Sequence, residues 1–144
     1  MRRISRIILV LLFLTGWNFG EDFVPKTGFY KATISRVHDG DTLYGDCEIW
    51  PGIVVKNIGF RFSGVAAPEL KEINGIAARE VVKLLVPENS EVIVEIIKLD
   101  KYSGRVDAKI WLIDKNKKYY CLNDALVENT IFGKMDKNGR KITK

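Results

Sequence analysis

Ile73-Asn74-Gly75-Ile76-Ala77-Ala78-Arg79-Glu80-Val81-Val82-Lys83-Leu84-Leu85-Val86-Pro87 decides how the chain folds. Ile73, Ile76, Ala77, Val81, Leu84 and Leu85 recur at spacings of three and four, which predicts an amphipathic helix with those side chains as its apolar stripe. Pro87 stops it, because the residue before a proline is driven out of the helical region. The segments on both sides have the period of strands, so this one helix interrupts an otherwise β chain.

Upstream, Tyr30, Ala32, Ile34 and Arg36 alternate with Lys31, Thr33, Ser35 and Val37, which predicts a half-buried strand. Asp39-Gly40 makes a turn, a second strand runs from Thr42 to about Trp50, Pro51-Gly52 turns again, and Ile53 to Ser63 is the third strand. Downstream, Glu91 to Leu99 is apolar on both faces and reads as a buried strand. After Asp100 to Gly104, Val106, Ala108, Ile110 and Leu112 alternate with Asp107 and Lys109. Lys118 to Leu122 pairs back, and Asn123 is placed to cap a short helix carrying Ala125, Leu126, Val127 and Ile131, which Gly133 ends. Three strands, a helix and two more strands is the layout of an OB-fold. The expected class is mainly β with helices (α+β), built as a five-stranded barrel.

The 144 residues suggest one domain, and 47% hydrophobic content is enough for a core. The net charge of +5 is uneven. Arg2, Arg3 and Arg6 lie in the first twenty residues, where there is no acid; the rest holds 20 basic against 18 acidic residues, a net of +2. That body charge alone does not announce nucleic acid. A basic start followed by the apolar run Ile7 to Leu14 reads as a secretory signal, too short to span a bilayer. We therefore expect residues 1–20 to be a signal peptide or an uncleaved anchor, giving a secreted, periplasmic or membrane-anchored protein. Residues 21–27 read as a linker, 28–133 as the domain and 134–144 as a mobile basic tail. Export admits a Cys47–Cys121 disulfide, but two separate buried thiols fit the sequence equally.

Three charged residues, Arg61, Glu69 and Arg105, stand among apolar and turn residues. With Asp39-Gly40-Asp41-Thr42 they supply the groups for breaking a phosphodiester: paired N–H donors for phosphate, a carboxylate to take a proton from water and a carboxylate for a divalent cation. Val37 to Thr42, Phe60-Arg61-Phe62-Ser63-Gly64-Val65-Ala66-Ala67-Pro68-Glu69, Asp100-Lys101-Tyr102-Ser103-Gly104-Arg105 and Asn123-Asp124-Ala125-Leu126-Val127 occur in one order and at one spacing that resembles the thermonuclease (staphylococcal nuclease-like) family over residues 28 to 133.

The resemblance implies an OB barrel of the staphylococcal nuclease type, here with its C-terminal helix truncated, and calcium-dependent hydrolysis of DNA and RNA. It implies that Arg61 and Arg105 grip phosphate, that Glu69 activates water, and that Asp41 and the Ala67 backbone carbonyl bind Ca2+. Tyr102 would lie near the bound nucleotide. Single strands would be preferred, no protein partner is implied, and the expected state is a monomer. Two positions depart from the family pattern. Ser103 lengthens the turn before Arg105, and Ala66 stands where a second calcium-binding aspartate belongs. The alternative reading is therefore an inactive barrel that binds nucleic acid without cutting it. His38, the only histidine, makes no zinc site alone. Trp50, Trp111, Tyr119 and Tyr120 serve either base stacking or sheet packing, and Lys115, Lys117 and Lys118 either track phosphate or form a solvated turn.

Overall fold

The computed structural model describes residues 28–102, 104–136 and 138–142. The expected leader (1–20), linker (21–27) and inserted Ser103 lie outside the described residues. Strands β1 (Phe29–Val37), β2 (Thr42–Trp50) and β3 (Ile53–Phe62) form an antiparallel meander. The short β4 (Val65–Ala66) precedes helix α1 (Ile73–Leu85), followed by β5 (Glu91–Leu99) and β6 (Arg105–Ile113). Strand β5 pairs with β1 and with β6, and β6 returns to β3 in parallel, with Gly59 opposite Arg105 and Arg61 opposite Asp107. That last pairing closes a five-stranded barrel of the OB-fold-like α+β class, as the element order predicted.

Inward alternation fills the barrel. Ile34, Leu43, Phe60, Phe62, Val94 and Ile110 are buried, each contributing about 1.5–3 kcal/mol. In β6 the expected Val106, Ala108, Ile110 and Leu112 are the buried set. In β1 the alternation slips at a bulge between Ile34 and Arg36, so Val37 turns inward and Arg36 lies over the Tyr44 ring, 4.0 Å from its centroid. Only the first half of β5 is deeply buried: Val92 and Val94 face the core, while Ile97 and Leu99 reach solvent.

Helix α1 forms where expected but packs by a different stripe. Gly75, Ala78 and Val82, with Val86 just beyond, face the barrel, whereas Ile73 and Leu84 are 86% and 83% exposed. Both stripes satisfy the helical period. The small residues win because they let the helix axis come close: a Cβ on Gly40 would lie 2.8 Å from that of Ala78. Among the described residues, no helix is long and apolar enough to cross a membrane.

The C-terminal region departs further from expectation. Strand β7 (Tyr119–Cys121) pairs with β6, and α2 (Leu122–Glu128) follows directly. Cys121, not Asn123, holds the N-cap position. Asn123 is instead a buried clamp. Its Oδ1 accepts the Ile110 N–H at 2.9 Å, and its Nδ2 donates to the carbonyls of Ser63 and Ala108 at 3.0 Å each. The expected basic tail begins inside a small sheet, in which β8 (Gly133–Met135) pairs with β4 and with β9 (Lys141–Ile142). Backbone pairing needs no apolar period, and Asp136 makes the turn by accepting the N–H groups of Asn138 and Arg140 at 2.8 Å. Cys47 and Cys121 are separate buried thiols, and burial pushes both thiols above their usual range.

Candidate functional site

The acidic turn after β1 is held by its own backbone. The N–H groups of His38 and Asp39 both donate to the Thr42 carbonyl, at 3.0 and 3.4 Å. Asp39 Oδ1 accepts the Asp41 N–H at 3.0 Å. Asp41 points inward. Its Oδ1 accepts the Thr42 hydroxyl at 3.0 Å; its Oδ2 accepts the Ala67 N–H at 3.3 Å and faces Arg61 Nη2 at 3.8 Å. Burial pushes the Asp41 carboxyl above the usual aspartate range, and the negative charge of Asp39 adds to it. Arg61, the Ala67 N–H and the Thr42 hydroxyl offset only part of that shift.

Barrel closure brings the two arginines to one face. Gly59 and Arg61 share a side of β3, since side chains two apart in a strand point the same way. Arg105 lies opposite Gly59, and a Cβ on Gly59 would fall 2.7 Å from Arg105 Cγ. The Arg105 stem therefore crosses β3 where glycine leaves room, next to Arg61. Its guanidinium is 4.7 Å from the Tyr102 ring centroid. Arg61, Lys98, Asp100, Tyr102, Asp107 and Asn138 border a groove of about 640 Å³, a size that holds a nucleotide-scale ligand.

Asp100 entered the sequence reading only as the first residue of the Asp100–Arg105 motif, with no role of its own. Its Oδ2 accepts from Arg105 Nε at 2.8 Å and from Nη2 at 2.5 Å, and its side chain is only 9% exposed. Burial by itself would raise its pKa. The hydrogen bonds and charge of Arg105, the Lys101 N–H and the charge of Arg61 together hold it below the usual range. Asp107, also in the groove, faces Lys98 Nζ at 3.5 Å.

Glu69 is held differently from the rest. Its carbonyl accepts the Glu72 N–H at 2.9 Å, and its backbone rests on Gly75, where a Cβ would come within 1.9 Å of the Glu69 oxygen. The loop that carries it is tied to the acidic turn through the Ala67–Asp41 hydrogen bond. The carboxylate itself is 69% exposed and paired with Lys71 Nζ at 2.6 Å. The fold thus gathers Asp41, Arg61, Arg105 and Tyr102 around the β3–β6 seam and puts Glu69 on the adjoining loop, its side chain turned toward Lys71. Trp111 lies six residues beyond Arg105 on β6, about 20 Å away at strand rise. There its indole N–H donates to Glu95 Oε2 at 3.0 Å and its ring meets Phe29 edge-on.

Calcium requires six to eight oxygen donors. Here Asp39 spends an oxygen on its turn, both Asp41 oxygens accept hydrogen bonds, and Arg61 already faces one of them. Ala66 offers no side-chain oxygen, and Ala67, whose N–H bonds Asp41, has only its backbone carbonyl to give. Among the described residues, no three His, Cys, Asp or Glu side chains are grouped to hold a metal ion. These donors do not fit a calcium cage. No protein-family model matches the chain, and no curated protein matches it.

Proposed function

We propose that the protein is a nuclease of the thermonuclease kind, hydrolysing phosphodiester bonds in single-stranded DNA or RNA. The observation that carries this reading is the placing of Arg61 and Arg105 on one face of the β3–β6 seam, beside the loop that bears Glu69. Two planar guanidinium forks match the geometry of phosphate oxygens, and their charge is most useful as negative charge builds in the pentacoordinate transition state. In this mechanism Glu69 takes a proton from water as the water oxygen attacks phosphorus. The bond from phosphorus to the departing sugar oxygen breaks, and that oxygen takes a proton from solvent water, while Glu69 returns its own to solvent. Glu69 must leave Lys71 to act, at small cost, because an exposed ion pair contributes only about 0–1 kcal/mol. Asp41, 3.8 Å from Arg61 Nη2, steadies that guanidinium by its charge. The basic, then apolar, leader supports export.

The test follows cleavage of labelled single-stranded DNA and RNA, with calcium added or chelated, by wild type and by Glu69→Gln. Cleavage that drops at least about a hundredfold in Glu69→Gln, with affinity unchanged, supports the reading. Equal rates in the two proteins refute it. A second reading, binding without cutting, is favoured by Ala66, which leaves Asp41 without a second carboxylate beside it. It requires an inert wild type in which Ala66→Asp creates calcium-dependent cleavage.

A further inference from the structure

We infer that Asp100 is a resident anion in the arginine cradle, occupying the edge of Arg105 that a nucleic-acid phosphate would take, and that phosphate binds by displacing it. This inference rests on the proposed phosphate site. Nε and Nη2 of Arg105 converge on a single Asp100 oxygen, which is how a guanidinium engages one oxygen of an oxyanion. Arg61 and Asp100 border the same groove, and the charge of Arg61 also favours the ionised carboxylate. The carboxylate is largely shielded but borders the groove rather than the core. It therefore orders Arg105 before ligand arrives, with Gly59 under the stem and Tyr102 against the guanidinium. The same contact competes with the ligand. Asp107 serves as an internal comparison, because it lies in the same groove but meets a lysine at a longer 3.5 Å.

Asp100 is thus a positioning residue with a measurable cost in affinity. Removing its charge frees a guanidinium that Asp100 holds at the edge of the groove. Tightening of about tenfold is expected, the scale of one charge-assisted hydrogen bond released from competition. In wild type the displaced Asp100 carboxylate takes up a cation of its own, so removing its charge steepens the salt dependence, by about 0.7 in the slope of log K against log salt for a single strand.

The experiment measures binding of a labelled single-stranded oligonucleotide by fluorescence anisotropy over a salt series. It uses the full chain as wild type, Asp100→Asn, Asp107→Asn, Arg105→Gln and the Asp100→Asn/Arg105→Gln double variant, each checked by circular dichroism. Asp100→Asn binds about tenfold tighter with the steeper slope, Asp107→Asn gains much less, and Asp100→Asn adds nothing once Arg105 is gone. In wild type, the Arg105 Nε–H resonance moves as oligonucleotide is added, a readout that stands even if Asp100→Asn does not fold. Unchanged or weaker binding by a folded Asp100→Asn overturns the inference and leaves the phosphate site standing, whereas an Arg105 resonance that stays fixed while binding saturates overturns the inference and removes Arg105 from the site. Failure of every protein to bind removes the site and the inference together.

Discussion

Asn123→Ala should be among the most damaging single changes in this barrel. The side-chain amide makes three hydrogen bonds, all at 2.9–3.0 Å, and links α2 to β6 and to the end of β3. Alanine leaves the buried Ile110 N–H without its partner, which costs about 1–3 kcal/mol. The Ala108 carbonyl still accepts the Ser63 N–H at 2.9 Å, so its loss is partial, while the Ser63 carbonyl loses its Asn123 donor. The total comes to about 3–4 kcal/mol, out of a stability that for such domains is about 5–15 kcal/mol. The expected fall in Tm is about 10–20 °C. Asn123→Asp should be worse, because it keeps the acceptor for Ile110 but turns a carboxylate toward two carbonyls. Calorimetry and urea unfolding on the two variants measure this directly. A Tm within about 3 °C of wild type for both would refute the clamp, since even one orphaned buried N–H predicts more.

Gly75→Ala should destabilise by about 2–3 kcal/mol, although alanine normally improves a helix by about 1 kcal/mol, because its Cβ meets the Glu69 backbone; a raised Tm would show that the loop yields freely. Arg105→Lys should lower cleavage about a hundredfold or more while keeping the charge, as an ammonium cannot reproduce the fork; steady-state kinetics on a folded variant decide it. Asp41→Asn should stabilise the protein at neutral pH. Folding raises the Asp41 pKa above 3.8, so the native state binds that proton more tightly and loses stability as pH rises through the raised value. The advantage of asparagine should shrink on acidification and vanish below about pH 3.8, whereas a gain independent of pH would point to packing rather than charge.

The strand–helix order was legible because period two and period three-to-four patterns are set by local geometry, and barrel closure follows from having no other place for the edges. The helix face was not legible. Ile73, Ile76 and Leu84 satisfy the period as well as Gly75, Ala78 and Val82 do, and the choice depends on how closely the helix must approach Gly40. Asn123 carried a good capping residue's chemistry to the wrong place, because an amide that can bond a local N–H can equally bond distant strands. Strands β8 and β9 left no apolar trace since they pair largely through backbone. Around the site, Arg61, Arg105, Asp41 and Tyr102 were chosen from motifs, and their gathering depends on the β3–β6 pairing. Asp100 stood in a motif with no role assigned; only the path of the Arg105 stem across Gly59 shows what it touches.

The central claim is that Arg61 and Arg105 act on one phosphate. Cleavage rates of single-stranded DNA by wild type, Arg61→Gln, Arg105→Gln and the double variant test it most directly. Two groups serving the same transition state should each cost about a hundred- to a thousandfold when removed, with the double variant scarcely slower than the worse single one. Losses that multiply as for independent sites, or a full rate in either single variant, would contradict the account.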